Sequence, residues 1–461
     1  MLSTGQTETQ AHTHSRLKYL PALDGLRAIA VIGVLLYHAE LPLFKGGFLG
    51  VDVFFVISGY LITSLLLGEW NQSGKVDLRS FWLRRARRLL PALFLLLGVV
   101  LVFAVFFLHD EVARLRSDAI AAFGYVTNWY LIFNQQSYFE TMGRPSLFQH
   151  LWSLAVEEQF YLLWPILFVL LMKFAQRFAL LIVIAGALAS TLLMALVYSP
   201  DIDPSRVYYG TDTRAAALLV GVALAYLLGR GSILGSLLSR LNWLREVIGA
   251  MALATVLVFF VLADESEPFL YLGGFIVLEI IVAVLIASIA LPGASFVHRV
   301  LGSNVPKWLG LRSYGIYLWH WPVFMVTRSR VDVDIDGVAL FILRIAITLV
   351  LAEISYRFVE TPIRRGALER IWQDIKTPRE QRVSLFNLRI AAILVTLLVM
   401  AATIGPAIVS ARPPDAPDYL TAESINTIDP GLDQGVDPTE EPASEEEVIE
   451  PTMEPTAIAP L

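Results

Sequence analysis

Long, nearly uninterrupted apolar stretches dominate this sequence and leave it few possible folds. A run of about 18 or more apolar residues, coiled at roughly 1.5 Å per residue, reaches across a hydrocarbon core about 30 Å thick. Eleven such stretches can be read, at 22–40, 48–68, 89–108, 149–172, 178–198, 211–229, 246–263, 269–291, 308–327, 338–359 and 389–410. They are continuous rather than alternating, which excludes an outer-membrane barrel. Only 16% of the residues are charged, against about 25% in a soluble domain. An ordinary soluble enzyme, a disordered chain and a collagen-like chain are therefore excluded as well. The expectation is an all-α polytopic membrane protein in a lipid bilayer. The segment 118–133 (DAIAAFGYVTNWYLIF) contains Asn128 and reads as a helix lying in the membrane interface, outside the count of spans.

Lysine and arginine set the orientation. With the N-terminus in the cytoplasm, cytoplasmic segments and helix ends hold 25 of the 35 basic residues. The reverse topology would put the arginines of 84–88 and the basic stretch 357–389 outside. The expectation is N-in, C-out. Residues 411–461 hold 13 acids and one base, so this Pro-rich tail is expected to be external and disordered. No cleavable leader is expected, because the N-terminus is polar and the first apolar run leads straight into a second. No internal repeat is evident, which disfavours inverted-repeat transporters.

There is no cysteine, hence no disulfide, thiolate metal site or cysteine nucleophile. Serine, histidine or carboxylates must carry any covalent or acid–base chemistry. Ionisable groups inside spans cost about 2.5–3.5 kcal/mol each on insertion scales, so each calls for a reason. Arg27 and His38 lie eleven residues apart in the first span, on nearly one face and roughly 16 Å apart along the axis. A long ligand could touch both; alternatively Arg27 pairs with Asp24 and His38 sits among headgroups. Asp52 starts the second span at about the depth of His38, either orienting the imidazole or remaining solvated. Arg84, Arg85, Arg87 and Arg88 stand at the cytoplasmic entrance of the third span, as phosphate ligands or as a positive-inside signal. His150, Ser153 and Glu157 share one face of the fourth. Asp212 and Arg214 open the sixth, facing an anionic ligand or forming a plain ion pair. Tyr317 and His320 fall in the outer half of the ninth, as site or aromatic belt. Glu279, Arg344 and Glu353 are intramembrane and free to pair with one another. No metal-binding spacing is present, and neither a metal nor a nucleic-acid partner is expected. Seven polar groups at one depth point to a hydrated interior site, with a separate cationic mouth.

The runs YLPALDGLRAIAVIGVLLYH, GGFLGVDVFFVISGYLIT, FWLRRARRLLPAL, HLWSLAVEEQFYLLWP, TDTRAAALLVG, SYGIYLWHWP and FVETPIRR occur in this order. Together they resemble the membrane acyltransferase-3 family, which includes bacterial O-acetylases of surface polysaccharides. The likeness covers about 20–365. It implies a ten-helix acyltransferase bundle over 21–365, a cytoplasmic leader over 1–20, a linker over 366–388 and an eleventh transmembrane helix over 389–410. The tail follows at 411–461.

The resemblance also implies an enzyme of the bacterial cytoplasmic membrane. It would take acyl-CoA, usually acetyl-CoA, as donor substrate with no permanently bound cofactor, and an envelope glycan or lipid-linked sugar as acceptor. His38, Asp52 and Glu157 match the family's catalytic positions. Arg27, Arg84, Arg85 and Arg88 match its donor-binding positions. His150, Ser153, Asp212, Arg214, Tyr317 and His320 are then expected on the substrate side. Relatives often add an external SGNH-hydrolase-like domain. No Gly-Asp-Ser block follows the eleventh span here, so either the sequence stops short of that domain or a separate SGNH-type protein is the expected partner. The rival expectation is a transporter of a lipid-linked sugar or small molecule with no acyl chemistry.

Overall fold

The computed structural model describes residues 19–139, 143–229, 242–291, 296–367 and 405–411. Within them the chain is helical, and β structure is limited to an isolated bridge between Ser329 and Val333. The helices are α1 (Pro21–His38), α2 (Gly50–Ser73), α3 (Leu78–Phe107), α4 (Val112–Phe123), α5 (Thr127–Phe133), α6 (Leu151–Phe174), α7 (Ala179–Val197) and α8 (Ser205–Tyr209). They continue with α9 (Thr211–Leu228), α10 (Asn242–Leu262), α11 (Phe275–Ala290), α12 (Phe296–Leu301), α13 (Asn304–Met325), α14 (Gly337–Ile354) and α15 (Thr361–Arg364).

Nine helical runs among the described residues are long and apolar enough to cross a bilayer, and they fall on nine of the eleven sequence stretches. The stretch 308–327 falls on α13, a helix of 22 residues that Lys307, Arg312 and His320 make more polar than the rest. The stretch 389–410 lies almost wholly outside the described residues, as do the leader, the linker and the tail. The third stretch is helical from Leu78, because Asp77 caps the Ser80 amide (3.0 Å) and stops the chain fraying there. Arg84–Arg88 are thus carried on the helix itself. The interfacial segment 118–133 is two short helices, broken where Tyr125 takes a left-handed conformation (φ 53°).

Two crossings position the polar residues. At the first, α2 and α9 touch backbone to backbone. A Cβ on Gly59 would lie 1.9 Å from the Leu218 carbonyl oxygen, and one on Gly221 would lie 2.1 Å from that of Val56. Small residues permit this approach, and packing then supplies what the hydrophobic effect cannot supply in lipid. The crossing brings the first turn of α2 against the first turn of α9. At the second, α1 packs along α13, bringing His38 beside His320.

Candidate functional site

His38 is the last residue of α1, and both its ring nitrogens are occupied. Nδ1 lies 3.1 Å from His320 Nε2, and Nε2 lies 3.0 Å from the Tyr138 hydroxyl. The proton positions follow from one end of this chain. His320 Nδ1 faces the Tyr317 carbonyl oxygen, which can only accept, so Nδ1 carries the proton. In neutral His320, Nε2 is then an acceptor, and His38 must donate from Nδ1. That leaves the His38 Nε2 lone pair to accept from Tyr138. Burial, with Tyr208, Tyr37, Tyr317 and Tyr209 around it, pushes the Tyr138 hydroxyl well above the ordinary phenol range. Tyr138 therefore keeps its proton and donates it. A backbone carbonyl thus sets the tautomer of His38 through a second histidine.

Each member is held in place from its own side. Tyr138 belongs to the segment between α5 and α6, which is tied to the start of α8. Its amide donates to Ser205 Oγ (2.7 Å), Ser137 Oγ donates to Asp203 (2.7 Å), and Gln149 Nε2 donates to the Ser137 carbonyl (2.9 Å). Its ring packs on Tyr208, with centroids 4.8 Å apart, and on Trp152 at 6.0 Å. On α13, the Tyr317 hydroxyl bonds with Ser153 Oγ (2.6 Å) and donates to the His150 carbonyl (3.1 Å). His150 Nε2 donates to the Leu318 carbonyl (3.1 Å). His150, Ser153 and Tyr317 therefore fasten α6 to α13 around His320. His320 itself is fully buried behind His38, whereas the sequence reading put it on the substrate side.

His38 and Tyr138 line a vestibule of about 680 Å³ together with Tyr37, Phe139 and Trp321. A smaller cavity of about 40 Å³ lies nearer the Arg27 end of α1, bounded by Arg27, Ser153, Glu157, Ser313, Tyr314 and Tyr317. The Tyr317 ring borders the small cavity and also approaches His320, with centroids 5.2 Å apart. Tyr317 borders only the small cavity, His38 only the vestibule, and His320 touches both rings while lining neither space.

The carboxylates differ from their expected roles. Asp52 does not orient His38, because its Oδ1 accepts from Arg214 Nη2 at 2.7 Å, with both side chains at most 1% exposed. Arg214 also lies over the Phe275 ring (4.3 Å) and the Tyr208 ring (5.0 Å). The α2–α9 crossing imposes this pairing. Asp212 does not pair with Arg214, since Arg206 takes it with both nitrogens (2.7 and 3.1 Å). Arg214 and Asp212 thus each have an ion-pair partner of their own, Asp52 and Arg206. Nor do Glu279, Arg344 and Glu353 pair together. Glu353 binds Arg312, Glu279 is buried near Arg214, and Arg344 reaches the end of α13.

Glu157 accepts from the Ser58 and Tyr161 hydroxyls. It lies about two turns along α6 from His150 and shares the small cavity with Arg27, Ser153 and Tyr317. Arg85 lies 5.6 Å from the Tyr161 ring centre, so the basic face of α3 adjoins the same cluster. Arg84 is exposed and Arg88 half-buried. Asp24 accepts from Tyr19 (2.6 Å) rather than pairing with Arg27. Among the described residues no group of three histidines or carboxylates could hold a metal ion. The arrangement offers a base aimed at a hydroxyl at the His38 end and a cationic cluster at the Arg27 end, joined by the length of α1.

The acyltransferase domain family matches residues 20–357. A peptidoglycan O-acetyltransferase of Listeria monocytogenes is 43% identical over 361 residues, which is 78% of this chain and 58% of that protein. A putative peptidoglycan O-acetyltransferase of Bacillus subtilis is 42% identical over 357 residues, 77% of this chain and 56% of that protein. A putative O-acetyltransferase of Staphylococcus aureus is 40% identical over 391 residues, 84% of this chain and 63% of that protein. The chain thus spans little more than half the length of these relatives. No solved structure matches it.

Proposed function

The chain belongs to the acyltransferase domain family, and from that premise we propose that it is a membrane O-acyltransferase. In this reading it moves an acetyl group from acetyl-CoA on the cytoplasmic side to a hydroxyl of a cell-envelope glycan. The acyltransferase unit is 21–365, and the Arg27 end of α1 faces the cytoplasm. The observation that carries the proposal is the His38 Nε2 lone pair aimed at a hydroxyl in the vestibule, with a second histidine behind it.

The donor's phosphates meet Arg27 and the basic face of α3 (Arg84, Arg85, Arg88). Arginine suits this role because its planar fork matches phosphate oxygens. The pantetheine arm follows α1 past Glu157 and Tyr317, and the roughly 16 Å between Arg27 and His38 suits its length. Two routes at His38 were open from sequence, direct transfer to the acceptor and an acyl-imidazole. The geometry favours His38 as a general base, since its lone pair already points at an O–H. His38 Nε2 takes the hydroxyl proton while the oxygen attacks the thioester carbonyl. The C–S bond breaks, and the departing thiolate of CoA takes the proton back from the imidazolium. The positive charge that forms meanwhile on His38 is shared through Nδ1–H with His320 and the Tyr317 carbonyl.

The attacking hydroxyl is Tyr138's own, giving a tyrosine ester that a glycan hydroxyl then resolves, or an acceptor hydroxyl that takes Tyr138's place. The relatives' names support a glycan as final acceptor. The test uses protein in nanodiscs with labelled acetyl-CoA, following release of CoA and label on Tyr138, with and without envelope glycan. Release by the wild type that is lost in His38→Ala supports the reading. Folded wild type that releases no CoA under any acceptor condition would remove it in favour of a transporter.

A further inference from the structure

Arg344 is the lone charge in the apolar run of α14, between Asp336 and Glu353. A cation there is costly unless something uses it. Its Nε donates to Thr327 Oγ1 (3.1 Å), and its Nη2 donates to the carbonyls of Thr327 (2.9 Å) and Phe324 (3.4 Å). All three acceptors are neutral, and none of these bonds uses Nη1. The side chain lines the vestibule that holds His38 and Tyr138. Other arginines near it have acids. Arg144 and Arg328 share Asp332, at 2.6 and 3.0 Å. Glu40 and Asp332 lie near enough for their charge to reach Arg344, yet neither forms an ion pair with it. Of the two arginines that line the vestibule, Arg328 thus has a carboxylate partner and Arg344 has none among the described residues. The remaining charged lining is Glu40 and Glu265, with Lys45 held by Asp264 (3.3 Å).

We propose that the vestibule is a binding site for an acidic saccharide, whose carboxylate is held by Arg344 and Arg328. The planar fork of arginine matches a carboxylate in a way that a neutral hydroxyl cannot. Glu40 and Glu265 accept hydrogen bonds from sugar hydroxyls, and their charge disfavours a dianionic phosphate more than a single carboxylate. Trp321 and Tyr37 offer apolar faces to the ring. Arg344 then fixes which saccharide presents its hydroxyl to His38. The inference rests on the acceptor side of the transferase reading, and it is tested by binding alone.

Wild type, Arg344→Gln and Arg344→Lys in nanodiscs are titrated, without acyl donor, with two sugars. One is the disaccharide of glucuronate and N-acetylglucosamine; the other is the same disaccharide with its carboxyl reduced to the alcohol. The wild type should bind the acidic sugar about tenfold more tightly, as expected for one charge-assisted bidentate contact. Arg344→Gln should abolish that preference and leave the affinity for the neutral sugar unchanged, and Arg344→Lys should keep part of it. Equal affinities in the wild type, no binding of either sugar, or parallel loss of both in Arg344→Gln would overturn the proposal. His38→Ala should lose turnover but keep the preference, so a failed transferase reading and a failed subsite give different results.

Discussion

Asp52 offers the sharpest test of how this bundle works, because the family resemblance makes it catalytic while its contacts make it structural. Its partner Arg214 lies 2.7 Å away, and both are out of solvent. At that separation and an effective dielectric of about 20, the pair attracts by roughly 6 kcal/mol. Desolvating two ions offsets most of this, so the intact pair adds little net stability, but removing one partner costs about 3–5 kcal/mol. The two single variants should not be equal. After Asp52→Asn, Arg214 still has Glu279 nearby and the Phe275 ring beneath it, so the cost falls near the lower end, about 3 kcal/mol. After Arg214→Gln, Asp52 and Glu279 remain buried with no cation between them, and the cost moves to the upper end, about 5 kcal/mol. The double variant should be more stable than Arg214→Gln, which with these single costs means a coupling of more than about 3 kcal/mol in a double-mutant cycle. The assay is denaturant unfolding in detergent, paired with CoA release normalised to folded protein. Turnover per folded molecule should be unchanged in Asp52→Asn. A variant that unfolds like the wild type yet has lost turnover would refute the reasoning and return Asp52 to the chemistry.

Other outcomes follow from the same geometry. His320→Phe removes the acceptor of His38 Nδ1–H, a bond to a group that becomes charged and is worth about 1.5–3 kcal/mol, so CoA release should fall roughly 10- to 100-fold with folding retained. Tyr138→Phe leaves His38 in place and removes the hydroxyl; label on the protein should disappear, and label persisting at another residue would exclude the tyrosine ester. Gly59→Ala forces a methyl against the Leu218 carbonyl at the α2–α9 crossing and should cost about 1–3 kcal/mol of stability, read as a lower unfolding midpoint. Burial alone would raise the Asp332 carboxyl, but bonds from Arg328 and Arg144 outweigh it and hold the group below the usual range. A depressed folded value means that its contribution is complete above the unfolded pKa of about 3.9 and is lost as pH falls through the folded one. Wild type should therefore lose more stability on acidification through that window than Asp332→Asn, and identical profiles would count against the clamp.

The spans were legible because hydrocarbon imposes a length and a composition that any sequence window displays. Register along a single helix was legible for the same reason, as with Arg27 and His38. Partners across helices were not, because apolar stretches say nothing about which faces meet. Asp52 was matched with His38 by depth, but the close approach at Gly59 and Gly221 decides that it meets Arg214 instead. The signal was present as isolated glycines, which do not name their opposite helix. Tyr138 was missed altogether. It lies in an irregular segment with no periodicity, and only the bonds to Ser205, Asp203 and Gln149 set its place. His320 was noticed as a histidine between two tryptophans, yet its depth could not reveal that it stands behind His38 rather than beside the substrate.

The Tyr317 and His320 rings between the two cavities also bear on what the bundle lets through. A protein with water-sized space on both sides of its middle is one connected file of waters away from being a proton leak. Tyr317, with its hydroxyl tied to Ser153 and to the His150 carbonyl, stands in the way of such a file, with His320 beside it. If a thioester arm passes this point, it must replace the ring with its own bulk as it moves, so that the membrane stays insulating while the acyl group crosses. In the proposed transfer, the bundle would act as a seal as well as a scaffold for His38.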